Sequence, residues 1–253
     1  RPCDLCVWPE FAIRETIVEN DLVSITKVLP NVTEMLDTPV VAGCRRLVQH
    51  PLELRNAAIL LRVGGKVGGF VDKRFLAPVQ ETVSLLERML TVNDRTARDN
   101  FAPGKTSGVL TLDAGTTIGI GICHDVCFPE WGRDLMNQSE PSVIVTLASE
   151  QFDRSGHASM YMLAVTRLRA VESGRAIVRC VAGRGTVAIE FDGHAGEPSS
   201  QSPRTCEVVK RSGRTLFTRF DWFPLAIVIV IQIAFGHIAV TRRRHSLSSL
   251  GTL

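Results

Sequence analysis

The stretch Thr117-Ile118-Gly119-Ile120-Gly121-Ile122-Cys123, followed at once by His124-Asp125, decides how the rest of the chain is read. Isoleucine alternates with glycine and the apolar character then stops, which predicts a buried strand that leaves its sheet at Cys123. Strand ends are where layered α/β proteins place their chemistry. A free thiol has a pKa of about 8.5, so Cys123 is a nucleophile only with a base or a cation beside it. Without one it is a small buried hydrophobe, and the run by itself leaves both readings open. His124 is a poor partner, because successive strand side chains point to opposite faces. The other histidines (50, 157, 194, 237 and 245) stand in no context that recommends them.

Further short apolar runs bounded by Gly, Pro or charge predict strands at Leu5 to Trp8, Ala58 to Val63, Val109 to Leu112, Val143 to Leu147, Ala176 to Val181 and Val187 to Phe191. Helices are predicted at Val83 to Leu90 and His157 to Ser173. In the second, Met160, Leu163, Ala164, Leu168 and Val171 recur at helical spacing, with Arg167, Arg169 and Glu172 between them. Gly183, Gly185, Gly193 and Gly196 punctuate a late hairpin region, and Pro198 to Pro203 reads as an exposed loop. Alternating strands and helices predict an α/β layered domain over residues 1 to 220.

The 253 residues are 45% hydrophobic and 22% charged, a globular mix that excludes a disordered or fibrous chain. The net charge of +3 is too small to supply a nucleic-acid surface. The seven cysteines are odd in number and widely spread, unlike a disulfide framework. Arg1 stands where Met would, and a strand is already under way at residue 5, so the expectation is a fragment whose first strand and helix are missing.

Composition shifts near residue 221. The uncharged run WFPLAIVIVIQIAFGHIAVT, residues 222 to 241, would form a helix of roughly 30 Å, the thickness of a bilayer's hydrocarbon core. Trp222-Phe223 and Arg242-Arg243-Arg244 resemble interfacial anchors, so a transmembrane helix is expected at 221–241 with a basic cytoplasmic tail at 242–253. Positive charge does not orient it, since Lys210, Arg211, Arg214 and Arg219 balance the three arginines on the far side.

Two more segments leave strands toward charge: Val7-Trp8-Pro9-Glu10, and Asp72-Lys73-Arg74-Phe75-Leu76-Ala77-Pro78. Singly each is bland. Together with Cys123 they resemble the nitrilase (carbon-nitrogen hydrolase) superfamily, and more closely its apolipoprotein N-acyltransferase branch. The glutamate motif is Trp8-Pro9-Glu10-Phe11-Ala12. The lysine motif Lys-x-x-Leu-x-Pro-x-x-Glu is complete in Lys73, Leu76, Pro78 and Glu81, and the nucleophile motif runs from Gly119 to Asp125. Gly43, Asn56-Ala57-Ala58, Pro103-Gly104 and Arg167 to Glu172 fit around them. Departures are His124 in place of the usual Tyr, Val79-Gln80 before Glu81, and Ser149-Glu150-Gln151-Phe152-Asp153 in place of an Asn-Asp-x-Trp-Phe loop.

The resemblance implies a nitrilase-type α-β-β-α sandwich followed by one C-terminal transmembrane helix. It implies Glu10, Lys73 and Cys123 as catalytic residues, and Glu81, His124 and Asp125 as residues that order the site. The implied reaction moves an acyl chain from phospholipid, through a cysteine thioester, to the N-terminal amine of an apolipoprotein at the bacterial inner membrane, with the domain periplasmic. No motif calls for a cofactor, and none is expected. Three alternatives stand beside this reading. One is a membrane-anchored amidase or nitrilase that delivers water to the same thioester, and another is a degenerate fragment that binds lipid or lipoprotein without turnover. The third is a metal site from Cys3, Cys6, Cys123 and Cys127, which would consume the nucleophile.

Overall fold

An Ile-Gly alternation is satisfied when one side of the strand meets another sheet and the other side lets a helix come close. The computed structural model, which describes residues 3–19, 37–78, 81, 100–151, 153–197, 205–220 and 226–235, is built this way. One sheet holds β1 (Cys6–Val7), β2 (Thr16–Val18), β3 (Val40–Gln49), β4 (Leu52–Leu61) and β5 (Val67–Asp72). Its order is β1-β3-β4-β5, with β2 also on β3; β1 and β2 run parallel to β3, and β3, β4 and β5 form an antiparallel meander. The second sheet holds β6 (Gly108–Thr111), β7 (Thr117–Ile122), β8 (Val143–Ser149), β9 (Ile177–Ala182) and β10 (Gly185–Ile189) in the order β10-β9-β8-β7-β6. Its three central strands are parallel.

Ile118, Ile120 and Ile122 pack with Val145, Leu147 and Cys180 of their own sheet against Val41, Ala58, Leu60 and Val71 of the other, so the main core lies between the sheets. On the outer face of the second sheet lie α1 (Pro129–Gln138) and α2 (His157–Ser173), whose Trp131, Leu135 and Ala170 cover Ile144, Ile177 and Val187. A short helix, α3 (Leu216–Arg219), follows. The glycines of β7 face α1: a Cβ on Gly121 would stand 2.6 Å from Trp131 Cζ2. Trp131 is buried there and donates its Nε1–H to the Ile120 carbonyl at 3.2 Å.

β3 and β5 carry no strand signal in the sequence, and β4 begins six residues before the predicted run. In β3 and the first half of β4 the reason is charge. Arg46 and Arg55 interrupt the apolar pattern, yet both are paired on the sheet, donating to Asp72 Oδ1 at 2.9 Å and Oδ2 at 2.7 Å. α1 also went unpredicted, whereas α2 has the bounds its periodicity predicts. Its apolar stripe does not face the core, however. Met160, Leu168 and Val171 are 71%, 50% and 47% exposed, while Thr166, Arg169, Ala170 and Ser173 are buried. Most of the buried polar atoms are satisfied inside the helix itself: Thr166 Oγ1 donates to the Met162 carbonyl at 2.6 Å, Ser173 Oγ to the Arg169 carbonyl at 2.8 Å, and Arg169 pairs with Glu172, its Nε alone lacking a partner among the described residues of the helix.

The predicted helix at 83–90 and the tail at 242–253 lie outside the described residues. Of the expected membrane helix, 226–235 is described and is helical, with Ile227, Val230, Ile233 and Phe235 exposed. Among the described residues no helix is long and apolar enough to cross a membrane.

Gly121→Ala forces a methyl into the Trp131 ring and is expected to lower unfolding free energy by about 1–3 kcal/mol. Gly132→Ala on α1, where a Cβ meets nothing within 4 Å, is expected to be neutral or stabilising by up to about 1 kcal/mol. Denaturant unfolding of the two variants measures the contrast.

Candidate active site

Glu10, Lys73 and Cys123 come from three loops that converge at one end of the two sheets. Glu10 follows β1, and its loop crosses close over β3. A Cβ on residue 43 would stand 2.5 Å from Glu10 Cα and 2.7 Å from the Pro9 carbonyl oxygen, so only glycine lets the Trp8-Pro9-Glu10 turn lie there. Phe11, next to Glu10, has φ +56°, a left-handed conformation unusual for a bulky residue. It is held by its stack on Phe101, with ring centroids 5.9 Å apart, and by the Arg45 guanidinium 5.1 Å over its face. Lys73 follows β5 and is clamped by its backbone. Its N–H donates to the Asn56 carbonyl at 2.8 Å, and its carbonyl accepts from the Gly104 N–H at 2.7 Å.

Cys123 opens a 3₁₀ turn, Cys123–Cys127, with φ +48°. A non-glycine residue held there costs about 1–3 kcal/mol, and such strain persists only where the surroundings impose it. Here Asp125 imposes it. Its Oδ2 accepts the Ile122 N–H at 3.0 Å, and its Oδ1 accepts the N–H groups of Arg74 and Phe75 at 3.1 and 2.8 Å. One buried carboxylate thereby ties the turn of the thiol to the loop of the lysine. Burial raises the Asp125 pKa from 3.8 to about 6, in spite of these three donors and the Lys73 charge.

Lys73 Nζ lies 3.2 Å from Glu10 Oε1 and 2.7 Å from Glu81 Oε2, and all three side chains are buried. Burial opposes the ammonium, but Glu10, Cys123 and Glu81 outweigh it and hold Lys73 above its ordinary range. The Cys123 thiol is pushed strongly up, first by burial and then by the Glu10 charge, against the lowering pull of Lys73. The resting sulfur therefore keeps its proton beside a carboxylate that can take it. Glu10 Oε2 accepts the Ser149 N–H at 3.0 Å.

Asn56 was not among the expected site residues, yet its Nδ2 bridges Glu10 Oε1 at 2.8 Å and Glu81 Oε1 at 2.6 Å. The available signal was the Asn56-Ala57-Ala58 segment, which the resemblance placed beside the motifs without assigning it a role. Glu81 is fixed further by the Ala77 N–H at 2.7 Å. The His124 ring packs edge-on against Phe128, which stacks on Phe75 with centroids 4.1 Å apart, and its Nδ1 is buried without a hydrogen-bond partner among the described residues.

The family described as carbon-nitrogen hydrolase matches residues 1–234. The chain is 28% identical to the apolipoprotein N-acyltransferase of Azotobacter vinelandii over 250 residues, which is 96% of this chain and 47% of that protein. It is 24% identical to the enzyme of the same name from Pseudomonas putida over 246 residues, 94% of this chain and 47% of that one. The chain thus spans about half the length of these curated relatives. Among solved structures it resembles a member of branch 10 of the nitrilase superfamily from Saccharomyces cerevisiae, with TM-score 0.58, 16% identity, and 78% and 72% of the two chains covered. It also resembles a Nesterenkonia amidase that carries a covalent adduct at its active-site cysteine, with TM-score 0.53, 16% identity, and 76% and 72% covered. At these identities the structural likeness shows the nitrilase-type fold.

Because Asp125 holds its proton more tightly in the folded chain than in the unfolded one, its titration adds stability below pH 3.8 that is lost as pH rises through about 6. Asp125→Asn is expected to remove this falling limb, whose steepest slope is about 1.4 kcal/mol per pH unit. Unfolding free energies of the two proteins between those pH values check it; parallel profiles contradict it.

Proposed function

Since the chain belongs to the carbon-nitrogen hydrolase family, we propose that Glu10, Lys73 and Cys123 form its reacting trio and that the protein transfers an acyl chain from phospholipid to the N-terminal amine of an apolipoprotein. The observation that carries this reading is the shared burial of one ammonium, one carboxylate within 3.2 Å of it, and one protonated thiol under the influence of both. The named relatives support the substrate class.

In the first half-reaction Glu10 takes the thiol proton as the sulfur attacks the ester carbonyl. The oxyanion forms beside the Lys73 ammonium, which gains more from it than from the neutral ester. Collapse expels the lysophospholipid alkoxide, which receives the proton from Glu10, and leaves a Cys123 thioester. In the second half the acceptor amine attacks that thioester, Glu10 takes its proton, and the Cys123 thiolate leaves and is reprotonated. Splitting the reaction in this way lowers each barrier. Asn56 and Glu81 keep Lys73 and Glu10 from moving apart between the two halves.

Both substrates are lipidic, so the reaction belongs at a bilayer. The helical stretch 226–235, with Ile227, Val230, Ile233 and Phe235 exposed, supports a membrane helix at 221–241. In this reading the domain lies on the periplasmic side of the inner membrane and 242–253 in the cytoplasm.

Incubated with phospholipid, the protein is expected to gain one acyl mass on Cys123, discharged by a lipopeptide with a free N-terminal amine. Discharge by water alone would make it a hydrolase instead. Cys123→Ala is expected to abolish the adduct, while Cys127→Ala leaves it largely intact. Lys73→Arg keeps the charge but not the reach, and is expected to slow acylation by about a hundredfold or more.

A further inference from the structure

Glu10 is faced by groups from several elements: Lys73 after β5, Asn56 of β4, the thiol of Cys123 after β7, Glu81 across Asn56 and Lys73, and the Ser149 N–H at the end of β8. The last is set by how β8 exits its sheet. The next residue, Glu150, is 2% exposed and forms an ion pair through Oε1 with Arg179 of β9, which is 5% exposed. The Glu150 N–H donates to the Ala182 carbonyl at 3.2 Å, and its carbonyl accepts from the Asp153 N–H at 3.1 Å, so the exit of β8 is closed onto β9. Sheet register places Arg179 beside Thr146, and Thr146 beside Gly121, two residues before Cys123. Val178 and Cys180 belong to the core between the sheets, so Arg179 lies on the opposite, helix-covered face of this row.

As a source of stability the pair is poorly built. Glu150 Oε2 and the neighbouring Thr146 Oγ1 are buried without hydrogen-bond partners among the described residues. An ion pair buried with its hydrogen bonding incomplete recovers less than it loses in hydration. We propose that Glu150 and Arg179 are positioning residues: their pair fixes the exit of β8 so that the Ser149 N–H stays aimed at Glu10 Oε2 and holds that carboxyl turned toward the Cys123 thiol. This rests on the reading of Glu10 as the base. Burial draws the Arg179 pKa down while the Glu150 charge draws it back.

The test uses the full chain and p-nitrophenyl acetate, which needs neither lipid substrate. Acetylation of Cys123 is followed by nitrophenol release and intact mass across the acid and neutral range. Glu150→Asp and Arg179→Lys keep every charge and change only reach, so a moved pH profile reports geometry. Each is expected to shift the acid limb upward by about one pH unit, as an ionised carboxylate does on losing a donor. The plateau rate falls about tenfold to a hundredfold, with the KM for the ester unchanged. A variant that melts earlier but keeps the original acid limb, or whose loss lies in KM, overturns the proposal. Glu10→Gln separates the two levels. If it leaves the acid limb in place, the trio reading falls and this proposal with it. If it removes the limb while Glu150→Asp and Arg179→Lys leave it unmoved, only the positioning role falls.

Discussion

The structure turns on the burial of the Lys73 ammonium, 1% exposed, between two carboxylates. A lone ammonium removed from water would lose its proton or drag water in after it. Glu10 and Glu81 prevent both, and each is in turn buried and needs the lysine. Asn56 completes the arrangement by donating to both carboxylates, which keeps two negative groups from separating around one cation. The four side chains come from β4 and from the segments that follow β1 and β5, so the cluster exists only when the first sheet is assembled.

The second sheet then brings the thiol to this cluster at the cost of a left-handed backbone at Cys123. Asp125 makes that turn and the lysine loop one unit, because its two oxygens serve N–H groups of both. Cys123 therefore sits at a junction of the sheets, as a strained residue whose sulfur meets a charge cluster built by the other layer. Strain, burial and opposing charges all act on one residue, and burial together with the Glu10 charge holds the proton on its sulfur.

Periodicity reported the existence of elements better than their orientation. The apolar spacing of α2 predicts its bounds, but the helix turns Thr166, Arg169 and Ser173 inward and leaves Met160 and Leu168 to solvent. Polar side chains that bond back to their own helix cost little to bury, so the hydrophobic stripe need not mark the inner face. β3 and the first half of β4 were silent for a related reason: Arg46 and Arg55 break the apolar pattern, and only the fold reveals that Asp72 answers both.

What the sequence determined by itself was local. The alternation of β7 calls for one face against a sheet and one against a helix, and the motifs around Glu10, Lys73 and Cys123 identify three side chains whose chemistries complement one another. The tertiary structure alone decided that these residues, 63 and 50 positions apart, meet at one sulfur. It also decided that Asn56 holds the carboxylates, that the Ser149 N–H reaches Glu10, and that Arg179 pairs with Glu150 at the end of β8. Hydrogen bonds and ion pairs between distant segments leave no periodic trace in the chain, because they depend on where sheets and turns bring backbones together rather than on what stands next to what.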